Sequence, residues 1–329
     1  MRVVAFGIGA IGGSIAARLA LTGTEVIGIA RGRMLDAVRR QGGLRVVSHL
    51  GAELAPVPVV ASAGEVDWRP DDIILLTMKT NDTADALQSL LAAGVYRQPI
   101  ICAQNGVANE PMALRFFPNV HGMAMLMPAQ YTEPGTVVAF GKPKLGLLDI
   151  GRYPTGYDAS VEPLATALDA AGFLCTPKPD VMQVKYGKLL LNLSNIVGAA
   201  LGAKAQHGPW YAKLRAEAEA AYEAAGITIE NVDADSPRRA LMKGTPIPGI
   251  EMVGTSSVQS LTRGTGTTET DYFNGEIVLL GRQFGVPTPL NLAFTQIARK
   301  MVLENIAPGS LTDADVEAFV ETYRESAPR

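Results

Sequence analysis

The chain has 329 residues, more than one ordinary core holds, so two domains are expected. Hydrophobic residues make up 47% and charged residues 19%, which excludes a disordered chain. The formal net charge of −3 leaves no basic excess for a phosphate backbone, and no apolar run reaches the ~20 residues that span a bilayer; neither nucleic acid nor a membrane is an expected partner.

Residues 2–6 form an apolar strand that runs into Gly7-x-Gly9-x-x-Gly12, and 14–20 read as a helix. A second strand at 24–30 completes a strand–turn–helix–strand unit. In that context each glycine has work. Gly7 allows the tight turn. Gly9 lets backbone N–H groups approach a pyrophosphate, and Gly12 lets helix and strand pack closely. The first helical turn, at Ala10 and Ile11, points its positive end at the negative charge. Gly7, Gly9, Ala10, Ile11 and Gly12 are therefore candidate dinucleotide-binding residues. The motif starts so early that no targeting segment is expected before it, and a cytoplasmic location is the expectation.

An acidic residue at the end of the second strand would select NAD by binding the ribose 2′-hydroxyl. Residues 28–33 read Gly-Ile-Ala-Arg-Gly-Arg, with no acid and two arginines. A guanidinium suits a 2′-phosphate, so Arg31 points to NADP(H).

A helix over 33–41 and extended segments over 43–49 and 52–60 follow. The run 72–77 reads as a buried strand, 82–91 as a helix capped by Asn81 or Asp82, 99–103 as a buried strand and 109–116 as a helix. Strand-like stretches over 121–131, 136–140 and 144–150 are separated by turn residues. This alternation predicts an α/β fold: a doubly wound, Rossmann-like parallel sheet with extra antiparallel strands at its far edge. Ligands of such sheets bind beyond the carboxyl ends of the strands. That singles out Lys79, in the loop after 72–77, and Asn105, in the Gln104-Asn105-Gly106 loop after 99–103.

Beyond about residue 155 strand signals stop. Helical periods cover 161–171, 181–201, 210–225, 235–242, 274–284, 289–304 and 313–324, and residues 326–329 are expected to fray. The Thr-Pro-Lys-Pro-Asp run at 176–180 reads as a linker. The expected division is a Rossmann-like domain at 1–178 and an all-helical domain at 179–329. Cys102 and Cys175 sit in apolar runs and read as buried thiols. His49, His121 and His207 have no metal-ligand spacing, so no metal is expected.

Taken in order, the glycine turn, Lys79, Gln104-Asn105-Gly106, Lys188-Leu189-x-x-Asn192 and Glu269-Thr270-Asp271-Tyr272-Phe273-Asn274-Gly275 resemble the ketopantoate reductase family. Ser256-Ser257 precedes Glu269 as the family's Ser-Ser segment does. The resemblance implies NADPH-dependent reduction of a 2-keto acid to a 2-hydroxy acid, most simply 2-dehydropantoate to pantoate in pantothenate synthesis. It implies that Lys188 polarises and protonates the keto oxygen, and that Asn192 holds lysine and substrate. Glu269 and Ser257 would bind the substrate's hydroxyl and carboxylate, and Asn105 would lie between nicotinamide and substrate. Asp271 would be structural.

The residues support this separately. Carbonyl reduction needs charge stabilisation and a proton at oxygen, and an ammonium supplies both. On a continuous helix Lys188, Asn192 and Asn195 share one face among leucines, so that polar stripe should line a cleft between the domains. Lys185, one turn earlier, could play the lysine's part. The family's second asparagine, eight residues after the lysine, is Ile196 here, with Asn195 as the nearest substitute. This leaves open a related dehydrogenase of another keto acid or an opine-type imine. A non-catalytic NADP-binding sensor is the alternative of another class. A homodimer is left open.

Overall fold

Residues 1–264 and 266–324 are described by a computed structural model; the expected fraying of 326–329 lies outside them. The elements in chain order are β1 (Arg2–Phe6), α1 (Ala10–Leu21), β2 (Glu25–Ile29), α2 (Gly32–Gln41), β3 (Leu44–Ser48), β4 (Gly51–Ala55), β5 (Val59–Val60), β6 (Asp72–Leu76), α3 (Thr83–Ala92), β7 (Ile100–Cys102), α4 (Asn109–Leu114) and β8 (Val120–Leu126). There follow β9 (Ala129–Glu133), β10 (Thr136–Ala139), β11 (Gly141–Pro143), β12 (Leu147–Arg152), α5 (Glu162–Ala170), β13 (Leu174–Pro177), α6 (Val181–Asn192), α7 (Ser194–Leu201), α8 (Pro209–Ala224), β14 (Met242–Gly244), α9 (Ser256–Thr262), α10 (Asn274–Phe284), α11 (Pro289–Leu303) and α12 (Asp313–Arg324).

The described residues form two compact units. One comprises Met1–Lys185 and Asn231–Met252; the other comprises Tyr186–Glu230 and Val253 onward. The first unit is built on an eight-stranded sheet in the order β13-β12-β8-β7-β6-β1-β2-β5. Every pairing is parallel except β12 with β8. β1, β6 and β7 are buried at every position, which explains their apolar runs, broken only by Arg2 and Asp72, which pair with each other at 2.7 Å: helices cover both faces of the sheet. Apolar clusters lie on each side, one around Ile15, Leu19 and Leu148, the other around Ile74, Leu87 and Phe117. A second sheet, β4-β3-β10-β9, packs its β3 and β10 against α1.

Three local expectations fail. Strand structure does not stop near residue 155: β13 pairs in parallel with β12, Leu148 beside Cys175. Residues 174–177 are too short to show a period against the helix that precedes them. The helix expected over 235–242 is a short 3-10 turn, Pro237–Leu241, followed by β14, which pairs antiparallel with β11. Residues 231–252 thus belong to the first unit rather than with the helices. Arg238 there clasps buried Asp149 with two bonds of 2.5 and 2.6 Å, a bidentate pairing that no local pattern reveals. Finally, the helix expected over 181–201 is interrupted at Leu193, which separates α6 from α7.

In the second unit every regular element among the described residues is a helix. α10 packs against α8 and α11, and α11 against α12. Glu217 on α8 accepts the Leu290 and Asn291 backbone N–H groups at 2.8 and 2.9 Å and so fastens the start of α11.

Candidate active site

β1, β6 and β7 are parallel neighbours, with Phe6 beside Leu76 and Leu76 beside Cys102. Their following loops therefore leave the same edge of the sheet. The glycine turn follows β1, and Gly7 donates to the Ile29 carbonyl at 3.0 Å, which sets it beside the end of β2.

Gly7 has φ +99°, and a Cβ there would stand 2.9 Å from the Met78 nitrogen. A Cβ on Gly12 would meet Thr77 Oγ1 at 2.1 Å and the Gly7 carbonyl at 2.2 Å. The Thr77 hydroxyl fills that space by bonding the Phe6 and Gly7 carbonyls. Both glycines are thus required by the first unit itself. Gly9 differs: it is exposed, and nothing lies within 4 Å of where its Cβ would be. Gly9 is also the N-cap of α1, which has no side-chain cap and no acid in its first turn. Ala10 and Ile11 begin that turn. An open, uncapped helix start beside a glycine cradle fits a dinucleotide's pyrophosphate. Arg31, the N-cap of α2, is exposed two residues beyond Ile29.

Lys79 and Asn105 are both partly buried, in the loops after β6 and β7. Buried side chains tie these loops together. Gln104 Nε2 donates to the Met78 carbonyl at 3.0 Å and to Thr83 Oγ1 at 2.7 Å. Thr83 Oγ1 donates to Asn109 Oδ1 at 2.8 Å. Asn109 Nδ2 donates to Thr80 Oγ1 at 3.2 Å and to the Asn105 carbonyl at 3.3 Å. Sequence reasoning missed this network. Its one signal, polar residues at helix starts, reads as capping, yet Asp82 at the N-cap of α3 makes no cap bond with its side chain.

Lys185, on α6, pairs with Glu110 at the start of α4 and donates to the Cys102 carbonyl at 3.3 Å. Both side chains are almost wholly buried. Burial pushes the Glu110 carboxyl up, with the Lys185 ammonium opposing. The Cys102 thiol is pushed well up by burial and by Glu110. Lys185 is therefore committed inside the first unit, a feature invisible in the sequence because Glu110 lies 75 positions away.

In the second unit Lys188 is partly buried on α6, one turn before Asn192. Asn192 is 7% exposed, and its Nδ2 is buried with no hydrogen-bond partner. Such a donor costs about 1–3 kcal/mol and marks a place that should hold an acceptor. Asn195 lies past the Leu193 break, on α7. Its Nδ2 donates to Ser256 Oγ at 3.4 Å, and its carbonyl accepts from Thr255 Oγ1 at 3.3 Å. Asn195 thereby holds the start of α9, which Thr255 caps, and α9 carries the buried Ser257. Glu269 is partly buried before the 3-10 turn Thr270–Tyr272. Asp271 pairs with Arg299 at the surface, 2.9 Å apart.

Cys102 and Cys175 are buried free thiols, and burial pushes the latter up to about 12. Among the described residues no three His, Cys, Asp or Glu side chains converge as metal ligands, and no helix is long and apolar enough to cross a membrane.

Residues 3–154 match the family model for ketopantoate reductase PanE/ApbA, and residues 180–302 that for its C-terminal part. The chain is 28% identical over 316 residues to a 2-dehydropantoate 2-reductase of Pyrococcus horikoshii, covering 94% of this chain and 100% of that protein. It is 28% identical over 306 residues to a 2-dehydropantoate 2-reductase of Archaeoglobus fulgidus, covering 91% and 97%. Among solved structures, a PanE/ApbA family ketopantoate reductase from Ralstonia eutropha superposes with a TM-score of 0.77 at 25% identity, over 93% of this chain and 99% of that one. A D-mandelate dehydrogenase bound to NADH and anilino(oxo)acetate shares the fold, with a TM-score of 0.76 at 22% identity and coverage of 93% and 99%. With most of its length matched across both parts, the chain belongs to the ketopantoate reductase PanE/ApbA family and is a pyridine-nucleotide-dependent oxidoreductase acting on a CH–OH group.

Proposed function

We propose that the protein reduces 2-dehydropantoate to pantoate with NADPH, with Lys188 as the lysine that acts on the keto oxygen. The observation that carries this reading is on α6. Asn192 keeps a buried, unpartnered amide donor one turn after Lys188, while Lys185 is committed to Glu110. That relatives at 28% identity are 2-dehydropantoate 2-reductases supports this choice of substrate. Arg31, with no acid at the end of β2, supports NADPH over NADH.

Held at the glycine cradle of Gly7, Gly9 and Gly12, NADPH would supply the hydride for the carbonyl carbon. The Lys188 ammonium donates a hydrogen bond to the keto oxygen, stabilises the charge that develops there and passes its proton to it. The amine left behind regains a proton from solvent. Asn192 Nδ2 donates to a substrate oxygen beside the lysine and so holds the substrate within the ammonium's reach. Ser257 donates to the substrate carboxylate, Glu269 accepts from the substrate hydroxyl, and Asn195 holds α9 so that Ser257 is in place. Asn105 and Lys79 bind from the loops after β7 and β6.

A second reading, reduction of another 2-keto acid, is favoured by Ile196. It is buried and apolar where the family pattern has an asparagine, and Asn195 already bonds Ser256. A shifted donor changes which substrate fits.

NADPH oxidation across a panel of 2-keto acids, 2-dehydropantoate included, tests both readings. The highest kcat/KM is expected with 2-dehydropantoate; a clear preference for another acid selects the second reading. Lys188→Ala should bind NADPH normally and lose about 10²–10⁴-fold in turnover. Unchanged turnover would remove the lysine's role.

A further inference from the structure

Lys79 and Asn105 come from two different loops, each after its own strand. Strand pairing sets where those loops begin, at Leu76 and Cys102, but not where their tips stand. Thr83, at the start of α3, sits where side chains from both loops meet. Its single hydroxyl accepts from Gln104 Nε2 at 2.7 Å and spends its one proton on Asn109 Oδ1 at 2.8 Å. Gln104 Nε2 also holds the Met78 carbonyl, and Asn109 Nδ2 holds Thr80 Oγ1 and the Asn105 carbonyl. The residues on both sides of Lys79 are thus anchored, as are Gln104 and the carbonyl of Asn105 itself. The direction of the chain is fixed, because Gln104 must present its NH₂ to the Met78 carbonyl. Thr83, Thr80 and Asn109 are at most 1% exposed and Gln104 is 4% exposed, so water is poorly placed to substitute for a lost bond.

Resting on the proposed function above, we infer that Thr83 is a positioning residue: its buried hydroxyl locks the Lys79 loop to the Asn105 loop and so sets the spacing of two ligand-binding side chains. It touches neither cofactor nor substrate. Its action is through Gln104 and Asn109.

The requirement is specific to a hydroxyl. Valine has threonine's shape and can neither accept from Gln104 nor donate to Asn109, whereas serine can do both. The test uses the full chain as Thr83→Val and Thr83→Ser, with three readouts: NADPH affinity by fluorescence titration without substrate, kcat and KM with the keto acid, and the melting temperature. Thr83→Val should weaken NADPH binding and lower kcat by on the order of tenfold to a hundredfold, as a misplacement of about 1 Å does. Thr83→Ser should restore both to near the wild-type values. A merely structural threonine would change the melting temperature and leave the Kd of folded protein unmoved. Wild-type NADPH affinity and kcat in folded Thr83→Val would overturn the proposal, as would equal impairment by serine.

If Thr83→Val does not fold, Gln104→Met takes its place. Methionine keeps the length and volume, removes only the Nε2 bonds that tie the loops, and gives up no partner of Oε1, which is buried without one. It should reproduce the weakened NADPH binding; wild-type affinity there overturns the proposal equally. A wild-type protein that binds NADPH but reduces no keto acid would defeat the functional reading alone, and the affinity contrast between valine and serine would still decide the role of Thr83.

Discussion

Lys185→Met removes one half of a buried ion pair and leaves the other half in place. The Glu110 side chain is fully buried and that of Lys185 nearly so, and the amine also bonds the Cys102 carbonyl. Methionine fills the volume of the lysine stem, so little of the loss is packing. What remains is a carboxylate stranded in the first unit, a change that costs about 3–5 kcal/mol. For a unit of this size that is a fall of roughly 6–20 °C in Tm. The deficit should grow as pH rises. Burial already raises the Glu110 carboxyl, and losing the lysine raises it further. A group whose folded pKa is raised gives full stability below its unfolded pKa and loses it as pH rises through the folded one. The variant should therefore lie closest to wild type in mild acid and fall away toward neutral and alkaline pH. Lys185→Met/Glu110→Leu should recover most of the stability, since an apolar pair can replace a buried ionic one. Melting curves across pH check the magnitude, and NADPH oxidation per folded molecule checks the role. Retained turnover beside a dead Lys188→Ala assigns the two lysines as argued. A stable but inactive Lys185→Met would reverse the assignment and refute the reasoning.

Asn192→Leu should raise stability by about 1 kcal/mol, because it deletes a buried donor that lacks a partner, while kcat/KM falls; denaturant midpoints and initial rates read the two effects, and a fall in both would mean that the amide is structural. Arg31→Ala should raise the KM for NADPH about tenfold and leave that for NADH unchanged, the modest size reflecting an exposed guanidinium; equal effects would end its assignment to a 2′-phosphate. His121 is buried, and burial pushes its imidazole below the usual value against the pull of Asp158, 3.0 Å away. Its folded pKa is depressed, so its contribution is full above the unfolded value of about 6.5 and is lost as pH falls below it. His121→Gln should flatten the fall in denaturant midpoint between about pH 7.5 and pH 5; an unchanged slope would place the acid sensitivity elsewhere. Asp158 is held well below the usual carboxylate range: burial works against this, but bonds from Ser160 and Arg152 prevail, so its contribution is lost only in stronger acid.

Several parts of the molecule were legible along the chain because their signals are local. The turn from Gly7 to Gly12 shows in its residue types and spacing, even though what excludes a Cβ at Gly7 and Gly12 is the distant pair Thr77 and Met78, and the buried strands β1, β6 and β7 announce themselves by composition. Short or two-sided elements were harder. β13 and β14 are four and three residues long, too short for a period, and exist because β12 and β11 offer them an edge. The break at Leu193 is also hidden, because 181–201 has helical composition throughout.

The candidate site divides in the same way. Residue type and spacing along the chain were enough to nominate the glycine cradle and a polar stripe through Lys188 and Asn192, since a tight turn and a helix repeat are set by neighbours in sequence; the choice of Lys188 over Lys185 came from the family resemblance. Which lysine is committed, which amide lacks a partner, and which hydroxyl joins two loops were decided by tertiary structure alone. Glu110 and Lys185 are 75 positions apart, and Thr83 and Asn109 are 26 apart. Hydrogen bonds act over about 3 Å of space and are indifferent to distance along the chain, so only folding can reveal them.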